Sequence, residues 1–269
     1  MKNFVIKGSN NKDILCDLRL SDIKKSPIII FSHGFKGFKD WGPFNFIAEF
    51  FKESNFSFLK FNFSHNGTTI DDANNFSDLN SFGNNNLSKE LFDLNCVIDW
   101  VEKNLSYTKI ILMGHSRGAG ISLLKASTDN RISKVISLAS VSDFNKKIAN
   151  KKLALWKEKG VAYVFNSRTN QQMPIFFQFY EDLQKNLSKF SILKRSKKID
   201  QEVLLIHGDN DKTVNVSSIF DLFSNIKKSK KIIVKDADHV FNSKHPFLIN
   251  DYSKELKFVL HESLKFLKE

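Results

Sequence analysis

A serine between two glycines is the first feature that could carry chemistry. Residues 114–118 read Gly-His-Ser-Arg-Gly, after an apolar run at 109–113 and before residues 119–126, which can form a helix. A sharp strand-to-helix turn exposes a serine hydroxyl and packs closely enough to need small residues on both sides. The amino terminus of the helix also favours a developing anion. We therefore predict that Ser116 is a nucleophile, the alternative being a serine in an ordinary loop.

A serine hydroxyl is a weak nucleophile near pH 7, so it needs a neighbouring base. Among the seven histidines, His239 is best placed, because it follows the last apolar run, at 232–234, on a polar loop. His245 is its nearest rival. His115 is too close in sequence to fold back onto Ser116, and His261 falls within a predicted helix. We predict that His239 is the base.

The base needs an acid that orients it, and the loop after the apolar run at 203–206 offers two carboxylates. We predict that Asp211 is the acid, because its distance from the strand end gives it reach, and that Asp209 stabilises the turn. Asp143 is a third candidate. Residues 209–220 do not complete a calcium loop, since the sixth position is not Gly and the twelfth is not Glu. A metal site formed by the carboxylates and His207 remains a minor alternative.

An acyl-transfer site also needs backbone N–H donors for the oxyanion. The loop at 33–37, His-Gly-Phe-Lys-Gly, follows the apolar strand at 27–32, where such donors belong. We predict that the backbone amides of Phe35 and Arg117 form this oxyanion hole. The Arg117 side chain either binds a substrate carboxylate or is a solvated helix residue, and we favour solvation.

These residues need a scaffold that brings strand ends together. The first thirty residues have the pattern of an antiparallel start, and short apolar runs then alternate with amphipathic stretches. This alternation is typical of an α/β fold with a mostly parallel sheet and helices on both faces. The runs lie at 28–31, 58–63, 110–113, 135–139, 203–206 and 232–234, and the helical patterns at 91–105, 219–226 and 252–267.

One interval is too long for a simple connection. Residues 143–200 are rich in aromatic and basic side chains, and 161–165 among them resemble a strand. We predict that they form a small cap after the sixth strand, placed over the crevice where open α/β sheets bind ligands. The core would then comprise 1–142 and 201–269. An extra helical layer remote from the site is the alternative.

Composition narrows the class of protein. The formal net charge is +12, but only five of the 41 basic residues are Arg and the lysines are dispersed, which favours a solvated surface over a nucleic-acid interface. The two cysteines do not form a multi-bridge scaffold. No signal-peptide pattern or membrane-length apolar run is found. We expect a cytoplasmic protein without a nucleic-acid or membrane partner.

Taken together, the order Ser116, Asp211, His239, the glycine-flanked serine and the loop at 33–35 resemble the α/β-hydrolase superfamily. The loop at 32–42 resembles that of small bacterial cinnamoyl and feruloyl esterases and of acylaminoacyl-peptidase-like hydrolases. One departure is Arg117, where such esterases often carry Gln.

The resemblance implies a serine hydrolase that cleaves carboxylic esters of a small-molecule acyl substrate through an acyl-enzyme, without cofactor or metal. Two alternatives remain: a peptidase or thioesterase with the same triad, and a non-catalytic binding protein of the same fold.

Overall fold

A computed structural model describes residues 1–145, 149–248 and 252–269. Its strands are β1 (Lys2–Lys7), β2 (Asp13–Arg19), β3 (Ile28–Ser32), β4 (Ser57–Asn62), β5 (Ile110–His115), β6 (Ile132–Leu138), β7 (Val161–Asn166), β8 (Gln171–Phe176), β9 (Glu202–Gly208) and β10 (Ser229–Val234). Its helices are α1 (Phe44–Glu53), α2 (Leu79–Gly83), α3 (Leu87–Asn104), α4 (Arg117–Ala126), α5 (Asn150–Lys159), α6 (Gln178–Lys185), α7 (Leu187–Phe190), α8 (Ile192–Ser196), α9 (Ser217–Asn225) and α10 (Lys254–Lys268).

Eight strands form one sheet in the order β1-β2-β4-β3-β5-β6-β9-β10. The pairs β1–β2 and β2–β4 are antiparallel, and every later pair in the sheet is parallel. The predicted antiparallel start and the mostly parallel sheet are therefore confirmed. The carboxyl ends of β3, β5, β9 and β10 lie along one edge, which is where the predicted site residues follow their strands.

The apolar runs are strands because helices cover both faces of the sheet. Alternate residues of one strand enter opposite cores: Ile110 and Leu112 of β5 pack on one face, and Ile111 and Met113 on the other. Helices α3, α4 and α9 cover the first face, while α1 and α10 cover the second. Burial on both faces explains why these strands are continuously apolar rather than alternating.

The long interval between β6 and β9 contains α5 to α8 and a separate antiparallel hairpin, β7–β8. Hydrogen bonds join the hairpin to the rest of the fold: Lys36 Nζ donates to the Phe165 carbonyl (3.1 Å) and Gln171 Nε2 donates to the Phe76 carbonyl (3.1 Å). Residues 146–148 of the predicted cap, including the basic Lys146 and Lys147, lie outside the described residues. The division into a core and a cap at 143–200 stays a prediction.

Within the described residues, no helix is both long and apolar enough to cross a lipid bilayer.

Candidate active site

Ser116 lies at the turn between β5 and α4 and adopts φ 57° and ψ −119°, a backbone conformation that non-glycine residues rarely adopt. Its amide donates to the Leu138 carbonyl (2.8 Å), which ties the turn to β6. A Cβ on Gly114 would lie 2.5 Å from the Gly118 carbonyl oxygen, and one on Gly118 would lie 2.3 Å from that of Ser32. The turn therefore requires both glycines, as the sequence predicted.

The three predicted side chains meet at the edge of the sheet. His239 Nε2 lies 3.0 Å from Ser116 Oγ, and His239 Nδ1 lies 2.7 Å from Asp211 Oδ2. Ser116 and Asp211 are buried, whereas the His239 side chain is 16% exposed. The arrangement gives an unbroken chain of hydrogen bonds from carboxylate to imidazole to hydroxyl, which is what a serine nucleophile requires.

Asp211 is held by more groups than His239 alone. Its Oδ1 accepts hydrogen bonds from the backbone amides of Thr213 (2.8 Å) and Val214 (2.9 Å), and His207 Nε2 lies 3.1 Å from its Oδ2. Burial opposes ionisation, but hydrogen bonds from His207, His239 and Val214 outweigh it and hold the pKa of Asp211 well below its usual range. The carboxylate is therefore fixed in position and charged at neutral pH.

The other candidate residues are engaged elsewhere. His245 Nδ1 accepts a hydrogen bond from the Gly42 amide (2.9 Å), and His261 Nδ1 lies 2.7 Å from the Lys257 carbonyl. Asp209 accepts from the Asp236 amide (2.7 Å), consistent with a role in the turn. Asp143 accepts from the Asn145 amide (2.8 Å).

Among residues 1–145, 149–248 and 252–269, no group of three or more His, Cys, Asp or Glu side chains is arranged to hold a metal ion.

His115 forms a hydrogen bond with the loop that carries His239. Its Nε2 lies 2.8 Å from the His239 carbonyl oxygen and, as the neutral ring's donor, fixes the backbone of that loop. Burial, and after it the neighbouring His239, lowers the pKa of His115 to about 3. The imidazole therefore stays uncharged and acts only as a hydrogen-bond donor here.

The loop after β3 lies directly against Ser116, since a Cβ on Gly34 would come within 2.9 Å of Ser116 Cβ. The Gly34 carbonyl receives hydrogen bonds from His33 Nδ1 (2.8 Å) and the Gly37 amide (3.0 Å). Because the N–H and C=O of a trans peptide point in opposite directions, the Phe35 amide faces away from both donors. The Arg117 amide occupies the first helical position, where an N–H has no intrahelical acceptor.

Two cavities border Ser116. The first, of about 290 Å³ and called here the apolar cavity, is lined by Phe35, Ser116, Arg117, Val141, Asp143, Phe144, Asn145, Trp156, Phe179, Tyr180, Leu183, Thr213 and Val214. The second, of about 310 Å³ and called the cationic cavity, is lined by Gly34, Phe35, Lys36, Gly37, Trp41, Phe44, His115, Ser116, Asn166, Arg168, Thr213, His239 and Val240. Residues of 143–200 and residues outside that range both line each cavity.

The expectation of a solvated Arg117 side chain is wrong. The side chain is only 18% exposed, and its guanidinium carbon lies 4.3 Å from the centroid of the Phe35 ring and 5.2 Å from that of Phe179. Its ion pair with Glu90 is long, at 3.5 Å, and burial raises the pKa of Glu90. Cation–π packing on two rings, invisible to sequence spacing, keeps the arginine in the wall of the apolar cavity.

The geometry of the turn and the sheet can be compared with known proteins. A family model described as the alpha/beta hydrolase fold matches residues 27–187, more than half of the chain. The chain belongs to the α/β-hydrolase fold family. A comparison with curated protein sequences gave no significant match.

Solved structures share this α/β-hydrolase fold over nearly their whole length. Est1E from Butyrivibrio proteoclasticus with ferulic acid bound is 18% identical, with a TM-score of 0.78 and 98% of each chain covered. The esterase domain of a Rhodothermus marinus protein is 16% identical, with a TM-score of 0.68 and coverage of 99% of this chain and 97% of that one. Mouse alpha/beta hydrolase domain-containing protein 10 is 16% identical, with a TM-score of 0.74 and coverage of 100% and 99%. At these identities the similarity shows a common fold.

The sequence did not predict the structural roles of three residues at this site. These are His207 beside Asp211, His115 beside His239, and Arg168 in the cationic cavity. His207 and His115 each follow or end an apolar strand, a signal that could have placed them at this edge. Arg168 had no such signal, because it lies in the turn of the β7–β8 hairpin, far from any core strand.

Proposed function

We propose that the protein is a serine hydrolase that cleaves carboxylic esters, with Ser116 as nucleophile, His239 as base and Asp211 as orienting acid. The observation that carries the proposal is the hydrogen-bond chain from Asp211 Oδ2 through His239 to Ser116 Oγ, with contacts of 2.7 and 3.0 Å. The serine at its end opens onto two cavities. A protein that only binds ligands has no physical need for all three groups in this order.

The reaction proceeds in two halves. His239 Nε2 accepts the Ser116 proton while Oγ attacks the ester carbonyl, and the same proton then passes to the leaving alkoxide as the carbon–oxygen bond breaks. Water next attacks the acyl-enzyme, gives a proton to His239 and releases a carboxylic acid, while Ser116 recovers its proton. Charged Asp211 stabilises the imidazolium formed in each half.

The oxyanion is stabilised in this proposal by the amides of Phe35 and Arg117. The doubly accepting Gly34 carbonyl supports the role of Phe35, because it fixes the orientation of the Gly34–Phe35 peptide. The first helical position supports the role of Arg117, since its N–H lies next to the nucleophile. Each such donor is typically worth about 3 kcal/mol of transition-state stabilisation.

The apolar cavity favours an acyl group with an apolar or aromatic body. Phe35, Phe144, Trp156 and Phe179 line it, and polar side chains are a minority of its wall. Aromatic acids suit such walls because offset and edge-on ring contacts stabilise them. The ferulic acid bound to Est1E, a protein of the same fold, is compatible with this choice.

The test is labelling with a fluorophosphonate together with hydrolysis of 4-nitrophenyl esters. We expect the purified protein to be labelled and active, and Ser116→Ala to lose both the label and at least about 10⁴-fold in kcat. Ser224→Ala, an exposed serine on α9, serves as the matched control and should behave like the parent. Labelling that persists in Ser116→Ala would refute the assignment.

A panel of esters, thioesters and amides with one common acyl group then separates the esterase from the thioesterase and peptidase alternatives. The ester should give the highest kcat/KM after correction for spontaneous hydrolysis. An unlabelled, inactive parent protein that still binds apolar acids would favour the non-catalytic alternative.

A further inference from the structure

The two cavities beside Ser116 occupy different positions relative to the base. His239 lines the cationic cavity and does not line the apolar one. A general acid must lie within hydrogen-bond reach of the oxygen that it protonates, so the leaving group must be on the His239 side. The alcohol part of an ester therefore extends into the cationic cavity, and the acyl part into the apolar cavity.

The cationic cavity has an unbalanced charge. Lys36 and Arg168 line it, and none of its described lining residues is Asp or Glu. Lys36 Nζ donates one hydrogen bond, to the Phe165 carbonyl at 3.1 Å. An ammonium group has three N–H donors, so two more can donate to a ligand. Within the part of the chain that the structure describes, neither cation forms an ion pair.

Arg168 is held over the cavity by weak, uncharged partners. Its Nη1 lies 3.5 Å from Asn75 Oδ1 and its Nη2 lies 3.3 Å from the Asn74 carbonyl oxygen. Its guanidinium carbon lies 5.0 Å from the centroid of the Phe38 ring and 5.5 Å from that of Phe76. Burial lowers the pKa of Arg168, against a smaller opposing effect of the Asp72 charge. A partly desolvated cation that forms no direct ion pair gains strongly from an incoming anion.

The cationic cavity also offers aromatic surface beside its two cations. Trp41 and Phe44 belong to its wall, together with the uncharged polar Asn166 and Thr213, and Phe35 lines both cavities. A leaving group that fills this cavity therefore combines an apolar or aromatic body, which contacts Trp41 and Phe44, with a negative charge that meets the two cations. A planar carboxylate matches the geometry of an arginine fork.

We propose that the preferred substrates are esters of hydroxy acids, whose leaving group carries a carboxylate bound by Arg168 and Lys36. The inference rests on the proposed esterase function. In the overall reaction, one water is consumed, the acyl–oxygen bond breaks, and the products are a carboxylic acid and a hydroxycarboxylate. Arg168 and Lys36 are specificity residues that take no part in bond breaking.

The test compares 4-acetoxybenzoate with 4-acetoxybenzamide, which share an acyl group and differ mainly in charge at the far end of the leaving group. We expect kcat/KM for the carboxylate, relative to the carboxamide, to fall about 10- to 100-fold in Arg168→Met. Intrinsic reactivity cancels, because only the change in the ratio is used. Arg168→Lys should retain part of the preference, and Lys36→Met should lose part of it. An unchanged ratio in Arg168→Met and Lys36→Met would overturn the inference.

Controls separate this inference from folding and from the proposed function. Lys157→Gln removes an exposed cation on α5 that lines neither cavity, and should leave the ratio unchanged. Binding of the two esters to Ser116→Ala, measured by calorimetry, needs no turnover. Tighter binding of 4-acetoxybenzoate that is lost with Arg168→Met supports the anion site even if no ester is hydrolysed. Equal binding of the two esters overturns it even if both are hydrolysed.

Discussion

The strand ends of the core and the insertion at 143–200 contribute in different ways to one site. Ser116, Asp211 and His239 follow β5, β9 and β10, and each forms at least one hydrogen bond with a core residue: the Ser116 amide donates to Leu138, Asp211 accepts from Val214, and the His239 carbonyl accepts from His115. The insertion supplies walls, among them Trp156, Phe179 and Arg168, which are only partly buried. In the proposed reaction, the sheet would therefore hold the reacting atoms, whereas substrate selection would depend on a more exposed element.

The largest effect that this comparison predicts lies in the core, at Asp211→Asn. The amide would donate to His239 Nδ1 and favour the wrong tautomer, so we expect kcat to fall about 10⁴-fold with the fold intact. Steady-state hydrolysis of a 4-nitrophenyl ester measures the loss. Asp209→Asn, two residues away and engaged with the Asp236 amide, is the matched control and should stay within a few-fold of the parent. Equal losses of kcat in both variants would show that Asp211 is not the acid that orients His239.

A pair of glycine substitutions contrasts the packing of the two regions. In Gly118→Ala the new Cβ would lie 2.3 Å from the Ser32 carbonyl oxygen, a backbone atom that cannot move aside, so we expect more than about 3 kcal/mol of destabilisation. In Gly160→Ala, at the end of α5, nothing lies within 4 Å of the new Cβ, and only the strain of φ +69° remains, about 1 kcal/mol.

Urea unfolding of the two glycine variants measures the difference. If Gly160→Ala were as costly as Gly118→Ala, the insertion would be packed as tightly as the turn at Ser116, and the contrast between the regions would fail.

The strands and the site residues could be predicted for the same physical reason. Burial on both faces leaves 110–113 of β5 and 203–206 of β9 continuously apolar, and parallel strands then bring the polar residues that follow to one edge. The insertion follows no such rule. Its β7 strand matches the strand-like pattern at 161–165, but β8 is only partly buried and contains Pro174, so the pairing of the two strands and the position of Arg168 depend on contacts with the core that no local pattern encodes.

Acid should destabilise the core through its buried histidines. All seven histidines lie outside the insertion. Burial lowers the pKa of His115 to about 3 and the pKa values of His33 and His65 to about 4, against an ordinary value near 6.5. The unfolded chain therefore binds protons first. The contribution of these three neutral histidines to the free energy of unfolding is complete above pH 6.5 and is lost as the pH falls towards 4.

Each histidine contributes up to about 1.4 kcal/mol per pH unit. Burial raises the pKa of Asp93 to about 6 and also raises that of Glu90, so these two carboxyls oppose the loss. We expect the free energy of unfolding of His115→Asn, measured with urea, to depend less steeply on pH between 6 and 4 than that of the parent. The two slopes should differ by up to about 1.4 kcal/mol per pH unit. His261→Asn, an exposed position on α10, should keep the parental slope. Parallel slopes in all three proteins would mean that His115 is protonated in the folded state.

The smallest predicted effect is confined to the insertion. Trp156 donates from Nε1 to the Ile175 carbonyl (2.8 Å) and packs on Phe177, with its ring in the wall of the apolar cavity. Trp156→Ala should lower kcat/KM about 10-fold for a 4-nitrophenyl ester of 3-phenylpropanoic acid and much less for the acetate, because only the longer acyl group reaches this wall.

Tyr163→Ala removes another aromatic side chain of the insertion, which is 60% exposed and lines neither cavity, and should change neither substrate. Equal losses on both esters in Trp156→Ala would show that the insertion positions the reacting atoms as well as the acyl group. Substrate selection and catalysis would then depend on the same residues, because a substitution in the cavity wall would alter the positions of Ser116 and His239.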